Sequence, residues 1–185
     1  MAYKHWRNYD EPGKTGYVTC TCLDFAHLLH RNEMKRSMAL HILRAFKHHE
    51  ARLHAFVVMS HHIHFLITPN ENQTISEFMS SFKTHTSKEM TPLLNQYELS
   101  QLRQQIGLSW RTFWKVSFRG FPINTKDTFW QKVRYIHLNP VGSGKAPVPE
   151  DYPWSSGPLY AKGLYHESRG LRIGEPIQFY EDLGV

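Results

Sequence analysis

The stretch Met59-Ser60-His61-His62-Ile63-His64-Phe65-Leu66-Ile67-Thr68-Pro69 leaves the chain few alternatives to a β-strand. From Ile63 to Thr68 its residues are the β-branched and aromatic types that suit a pleated surface, and Pro69, with no N–H to give a ladder, ends the run. Side chains alternate along a strand. His62, His64 and Leu66 therefore share one face, while Ile63, Phe65 and Ile67 turn to the other and into a core. Leu53 to Met59 is also apolar, and only Ser60-His61 separates it from the histidines, so the two runs predict an antiparallel hairpin. Two imidazoles held side by side on a rigid strand supply half of a site for a divalent metal. The other half must come from elsewhere in the chain.

With 185 residues, 41% of them hydrophobic, the chain has the size and apolar content of one domain with its own core. Its net charge of +6 points to a polyanionic partner, nucleic acid first. Cys20 and Cys22 alternate onto one face of a strand-like run, a poor geometry for a mutual disulfide, and are expected as reduced core thiols of a cytoplasmic protein. No apolar run approaches the roughly 20 residues that span a bilayer, so no membrane partner is expected.

Three segments are expected. Residues 1–16 form a basic N-terminal arm with Lys4, His5 and Arg7, residues 17–160 the main domain, and residues 161–185 a tail. Within the domain, Tyr17 to Cys22 alternates as a half-buried strand, and Asn32 to Glu50 repeats Met34, Met38, Ile42 and Ala45 at helical spacing with Asn32 as N-cap. Thr74-Ile75-Ser76-Glu77 reads as a capping box opening a helix to about Met90, with Ile75, Phe78, Met79 and Phe82 inward and Ser80, Lys83, Thr84, Ser87 and Lys88 outward. Residues 92–106 form a weaker helical insertion ended by Gly107. Trp114 to Phe118 predicts a strand with Trp114, Val116 and Phe118 on one face, while Lys115, Ser117 and then Arg119 make the other face basic. The last helix starts near Asn124 or Thr125 and should end near Asn139, because Pro140 disfavours helical geometry before it. Phe129, Val133 and Ile136 form its buried stripe, and Lys132, Tyr135 and Asn139 gather on the opposite side. Lys83, Lys88, Lys115, Arg119 and Lys132 are the candidate phosphate contacts.

The combination of Met59 to Leu66, Phe82-Lys83-Thr84, Trp114-Lys115, Tyr135-Ile136-His137-Leu138-Asn139-Pro140-Val141 and Asp151-Tyr152-Pro153-Trp154-Ser155-Ser156 resembles the REP-associated tyrosine transposases, single-tyrosine HUH transposases. The resemblance runs from about Tyr17 to Tyr160. It departs from the family at Ser60-His61, where Pro-Asn is common, and after Trp114, where the usual aromatic-aspartate continuation is missing. It implies an α+β, ferredoxin-like antiparallel sheet with helices packed on one face, in agreement with the order of elements above. It further implies that Tyr135 attacks single-stranded DNA beside a hairpin, giving a 5′-phosphotyrosine and a 3′-hydroxyl, with Mg²⁺ or Mn²⁺ as cofactor and a monomer or homodimer as the acting form. Two imidazoles favour manganese on softness.

The third ligand is expected from Asn139, one turn beyond Tyr135 on the same helix face. His61 competes for that role, and Asn139 competes with itself as a helix C-cap before Pro140. Two other readings remain: a non-catalytic nucleic-acid-binding module, and a metal-dependent nuclease that uses water.

Overall fold

The computed structural model describes residues 11–102 and 113–171. Lys4, His5, Arg7, Ile106, Gly107 and the final residues of the expected tail lie outside that range. Four strands make the main sheet: β1 (Gly16–Thr21), β2 (Arg52–Val58), β3 (His62–Thr68) and β4 (Arg119–Pro122). They run in the order β2-β3-β1-β4 with every neighbour antiparallel, which is the ferredoxin-like arrangement. The histidine strand lies in the middle of the sheet, between its hairpin partner β2 and β1.

Helices α1 (Asn32–His48) and α2 (Ile75–Met90) cover one face. The Phe46 and Phe82 rings meet Phe65 edge-on at 5.7 and 5.2 Å, and Val18, Cys20, Ile63 and Ile67 are buried around them. Both cysteines are unpaired thiols there, pushed up by burial, Cys20 to about 12. Among the described residues no helix is long and apolar enough to cross a membrane. The α2 capping box forms in full, Thr74 and Glu77 each accepting the other's backbone N–H. Two local expectations are corrected: Arg31, not Asn32, caps α1, without a side-chain hydrogen bond, and Ser87 is buried rather than on a polar face. After α2, among the described residues, come a single tight turn at Thr91–Leu93 and a short helix α3 (Gln96–Ser100), opened by a capping box of Asn95 and Glu98.

The edge strand differs from the sequence reading. Trp114 pairs with Cys22, and its indole N–H donates to Thr86 at 2.9 Å on the inner side. The pairing then fails, and Val116, expected inward, is 98% exposed. From Trp114 to Arg119 the edge chain takes five steps while β1 takes three from Cys22 to Thr19, so two residues loop out as a bulge. Lys83 explains why it is stable. Its ammonium donates to the carbonyl of Lys115 at 2.6 Å and to that of Val116, satisfying groups the ladder has released.

Helix α4 (Lys126–Gly142) crosses the other face and packs on β2 and β3. Thr125 is its N-cap. Pro140 does not end it: the helix continues to Gly142, and the cap is Ser143, whose N–H and hydroxyl both donate to the Asn139 carbonyl. One missing N–H in a last turn is tolerated because that turn is closed by these later donors. Asn139 is thus inside the helix and is not its cap.

The segment Tyr152 to Ser156 covers the outer edge of β2. Val58 N–H donates to the Trp154 carbonyl, Ser156 N–H to the Phe56 carbonyl, and the Tyr152 hydroxyl to Val58 at 2.7 Å. After it, α5 (Gly157–Ala161) and the hairpin of β5 (Tyr165–His166) and β6 (Gly170–Leu171) continue the packing, β6 against β2. Gly170, at φ 73°, lies where a Cβ would come 2.6 Å from the Leu53 carbonyl oxygen. Packing against β2 thus continues past residue 160 to Leu171, the last of the described residues.

Candidate active site

The strand register gathers the site. Thr21 lies opposite His62, Thr19 opposite His64, and Tyr17 opposite Leu66, so Tyr17, Thr19, His62 and His64 share the face that α4 crosses. Directly opposite β1 on the far side, Arg119 pairs with Thr19 and Phe121 with Tyr17. Helix α4 shields β2 and β3 with Val133 and Ile136 and leaves the β1 and β4 half of this face more open.

His64 is the best-held residue of the group, with 4% of its surface exposed. Its Nδ1 is 2.7 Å from the Tyr17 hydroxyl and 3.0 Å from that of Thr19. Its Nε2 looks the other way and receives the Asn139 amide nitrogen at 3.4 Å. Burial holds His64 far below the usual imidazole range, at about 3, with His62 and Lys132 adding to the effect. His62 is held down to about 4 by burial and by His61, offset in part by a hydrogen bond with Asn139. One amide thus touches both imidazoles. A neutral His64 whose Nδ1–H donates to a hydroxyl keeps its Nε2 lone pair for the Asn139 side, which is the tautomer a metal ligand needs.

Tyr135 stands on the same face of α4, 49% exposed. Its ring is 5.6 Å from that of His64 and meets Tyr17 edge-on at 6.0 Å. Lys132 places its ammonium 4.9 Å from the centre of the Tyr17 ring and 5.7 Å from that of Tyr135. Nucleophile candidate, cation and both imidazoles therefore occupy one corner of the sheet. Its single-helix origin matters, because α4 delivers Tyr135 and Asn139 together.

Not every expected residue reaches that corner. His61 stays beside His62, ring to ring at 4.4 Å, and packs on His27 at 5.1 Å; among the described residues no three His, Cys, Asp or Glu side chains converge on one point. Lys115 and Arg119 lie along the open edge. Lys83 does not join them, since its ammonium is engaged beneath the bulge. Lys88, on α2, belongs to the opposite face of the sheet. Alternation places Tyr17 and Thr19 on one face of β1 but does not mark them as site residues. Only the pairing of β1 with β3 reveals that they meet His64, and no local pattern carries that register.

The profile of the IS200-like transposases matches residues 18–139, more than half of the chain and inclusive of every residue of this corner except Tyr17. The chain belongs to the IS200-like transposase family. Among solved structures it is similar to a REP-associated tyrosine transposase bound to a REP hairpin, at 22% identity, with 93% of this chain and 98% of that one covered and a TM-score of 0.63. That likeness extends the shared fold beyond the matched segment. A putative transposase from Deinococcus radiodurans is also similar, at 17% identity over 74% of this chain and 95% of that one, with a TM-score of 0.48. Comparison with curated proteins finds no match.

Proposed function

We propose that this IS200-like transposase is a metal-dependent single-strand DNA transesterase that cuts and rejoins DNA next to a hairpin, with Tyr135 as the nucleophile. The observation that carries the reading is the dual delivery by α4: Tyr135 beside the His64 ring, and Asn139 with its amide on His62 and His64. In the forward step the Tyr135 phenol oxygen bonds to phosphorus as the bond from phosphorus to the 3′-oxygen breaks. The phenol loses its proton, and the departing 3′-oxygen gains one to become a hydroxyl. The product is a 5′-phosphotyrosine, and attack by a 3′-hydroxyl reverses the step without water or ATP.

His62, His64 and Asn139 would hold Mg²⁺ or Mn²⁺. With the Asn139 amide turned over so that its oxygen replaces the nitrogen now at His64, two imidazole nitrogens and one amide oxygen would give either ion three of six ligands, and burial keeps both imidazoles neutral. When bound, such an ion polarises the scissile phosphate as a Lewis acid. The protein's own contributions are positional. Tyr17 and Thr19 fix the His64 ring, and Lys132 sets a positive charge beside Tyr135, near the charge that develops at the phosphate. A hairpin as the substrate's folded part is supported by the REP hairpin bound to the structurally similar transposase. The cytoplasm is the compartment that suits reduced core thiols.

The test is incubation with end-labelled hairpin-bearing single-stranded DNA and Mn²⁺, followed by denaturing electrophoresis. A covalent protein–DNA species is expected. Tyr135→Phe should abolish it while binding the hairpin within about threefold of the parent, because only the nucleophilic oxygen is removed. Cleavage without an adduct would favour the water-using nuclease, and binding without cleavage the inert module. An adduct that survives in Tyr135→Phe and disappears in Tyr17→Phe would move the nucleophile to the neighbouring phenol.

A further inference from the structure

We infer that Phe25, with Lys115 beside it, is a stacking subsite for one unpaired base of the DNA strand that enters this site; the inference rests on single-stranded DNA as the substrate. Phe25 follows β1 directly, in a single tight turn of Leu23–Phe25. Its ring is 58% exposed, an unusual position for a phenyl group so near the core. The backbone there is strained as well as exposed, since Asp24 and Phe25 have φ of 54° and 57°, in the left-handed region that non-glycine residues avoid.

The location ties Phe25 to the active corner. Cys22 N–H donates to the His61 carbonyl at 2.8 Å and Thr21 lies opposite His62, so this turn leaves the sheet at the metal-ligand end of β3. Trp114 pairs with Cys22 and turns inward, so Lys115, whose N–H donates to the Thr21 carbonyl, turns to the face of Thr21 and His62. The Lys115 ammonium then stands 3.2 Å from the centre of the Phe25 ring. The bulge that makes this placement possible is pinned from below by Lys83, through the carbonyls of Lys115 and Val116. With the ammonium over one face of the ring, the opposite face can stack on a base while the ammonium meets the adjoining phosphate, an arrangement that suits a single strand at the rim of a phosphodiester site. A double strand would not use it, because its bases are already stacked.

The full chain is mixed, without divalent metal, with hairpin-bearing DNA that carries 2-aminopurine at each unpaired position near the hairpin foot in turn. Stacking on Phe25 should quench the fluorescence at one or two neighbouring positions. Phe25→Ala should abolish that quench and weaken binding by about tenfold, and Phe25→Trp should restore both. Lys115→Ala should weaken binding while retaining part of the quench. A quench unchanged in Phe25→Ala overturns the inference, as does a loss in Phe25→Ala that Phe25→Trp does not restore, which would mean a damaged fold. An interaction with unlabelled duplex that depends on Phe25 to the same degree also overturns it. Adduct formation in Mn²⁺ by the parent is scored separately. Its absence, together with a Phe25-dependent quench, would sink the transesterase reading and leave the stacking subsite standing.

Discussion

The two faces of the sheet are made from the same four strands, and residue alternation gives them opposite tasks. Under α1 and α2, Phe65 is enclosed by Phe46 and Phe82 and has no polar atom to satisfy. One position along the strand, on the face under α4, His64 is almost as deeply buried, yet its Nε2 faces an amide that another ligand could replace. Burial therefore does not separate structure from function in this protein. What separates them is whether the last contact of a buried group is fixed by the fold. His137 makes the point from within α4: burial holds it down to about 4, but its Nε2 meets Ser156 Oγ at 2.7 Å, a hydroxyl already tied to the Phe56 backbone. It clamps α4 to the segment that covers β2, and no ligand can reach it without breaking the clamp.

Substitutions should divide along the same line. Phe65→Ala removes a ring from the closed face and should destabilise the protein by about 3–5 kcal/mol in denaturant unfolding. The fraction that remains folded should bind Mn²⁺ as the parent does. A loss of metal affinity with little loss of stability would break the comparison, since it would give the closed face a share in the site.

His64→Ala should do the reverse. Mn²⁺ affinity measured by calorimetry should fall more than a hundredfold with a smaller cost in stability than Phe65→Ala. Asn139→Ala should lower it about tenfold, Asn139→Asp should keep or tighten it, and His61→Ala should matter less than His62→Ala. Because burial keeps His62 and His64 neutral until about pH 4 and about pH 3, acid should not protonate the empty ligands of the parent near the ordinary imidazole range. If Asn139→Ala binds like the parent and His61→Ala does not, the third ligand has been assigned wrongly.

Much of this contrast was legible in the sequence. The period of two around His62 and His64 and the 3.6-residue repeat through Val133 and Ile136 fixed which side chains go inward, and Tyr135 with Asn139 followed from their spacing. Such patterns are local, and so are their failures. Pro140 looks like a stop because its effect on the preceding residue is local, whereas the donors that close the last turn lie beyond it at Ser143 and Lys145. The Trp114–Phe118 alternation failed for the converse reason: a lysine from α2, some thirty residues earlier, stabilises the bulge. Alternation gives the face of Tyr17 but not its contact with His64, which depends on register between strands far apart in the chain.

Tyr17 sharpens the comparison because it would hold a ligand, His64, without binding the metal itself. Tyr17→Phe keeps the ring and removes the hydroxyl on His64 Nδ1, leaving Thr19 as the remaining partner. Mn²⁺ affinity should drop about tenfold and adduct formation with it, while unfolding stability changes by less than about 1 kcal/mol. Removing Thr19 as well, in Tyr17→Phe with Thr19→Val, should lower the affinity further than either change alone. If neither variant alters metal binding, the His64 tautomer is set by some other contact.

The smallest effects are expected from the lysines and arginine, and they test the two faces most directly. Arg119→Ala and Lys132→Ala, both on the α4 side, should each weaken hairpin binding a few fold and reduce the slope of log affinity against log salt by about one, as for one lost phosphate contact. Lys88→Ala, on the side of α2, should leave that slope unchanged. Lys83→Met separates the faces within a single residue. Its ammonium holds the Lys115 and Val116 carbonyls, so its loss should cost stability by about 1 kcal/mol and loosen the bulge. The salt slope should change only as far as Lys115 is displaced, and in a background of Lys115→Ala it should not change at all. A slope that falls by a full unit in that double variant would mean that Lys83 reaches a phosphate itself, and the line between the faces would have to be redrawn through α2.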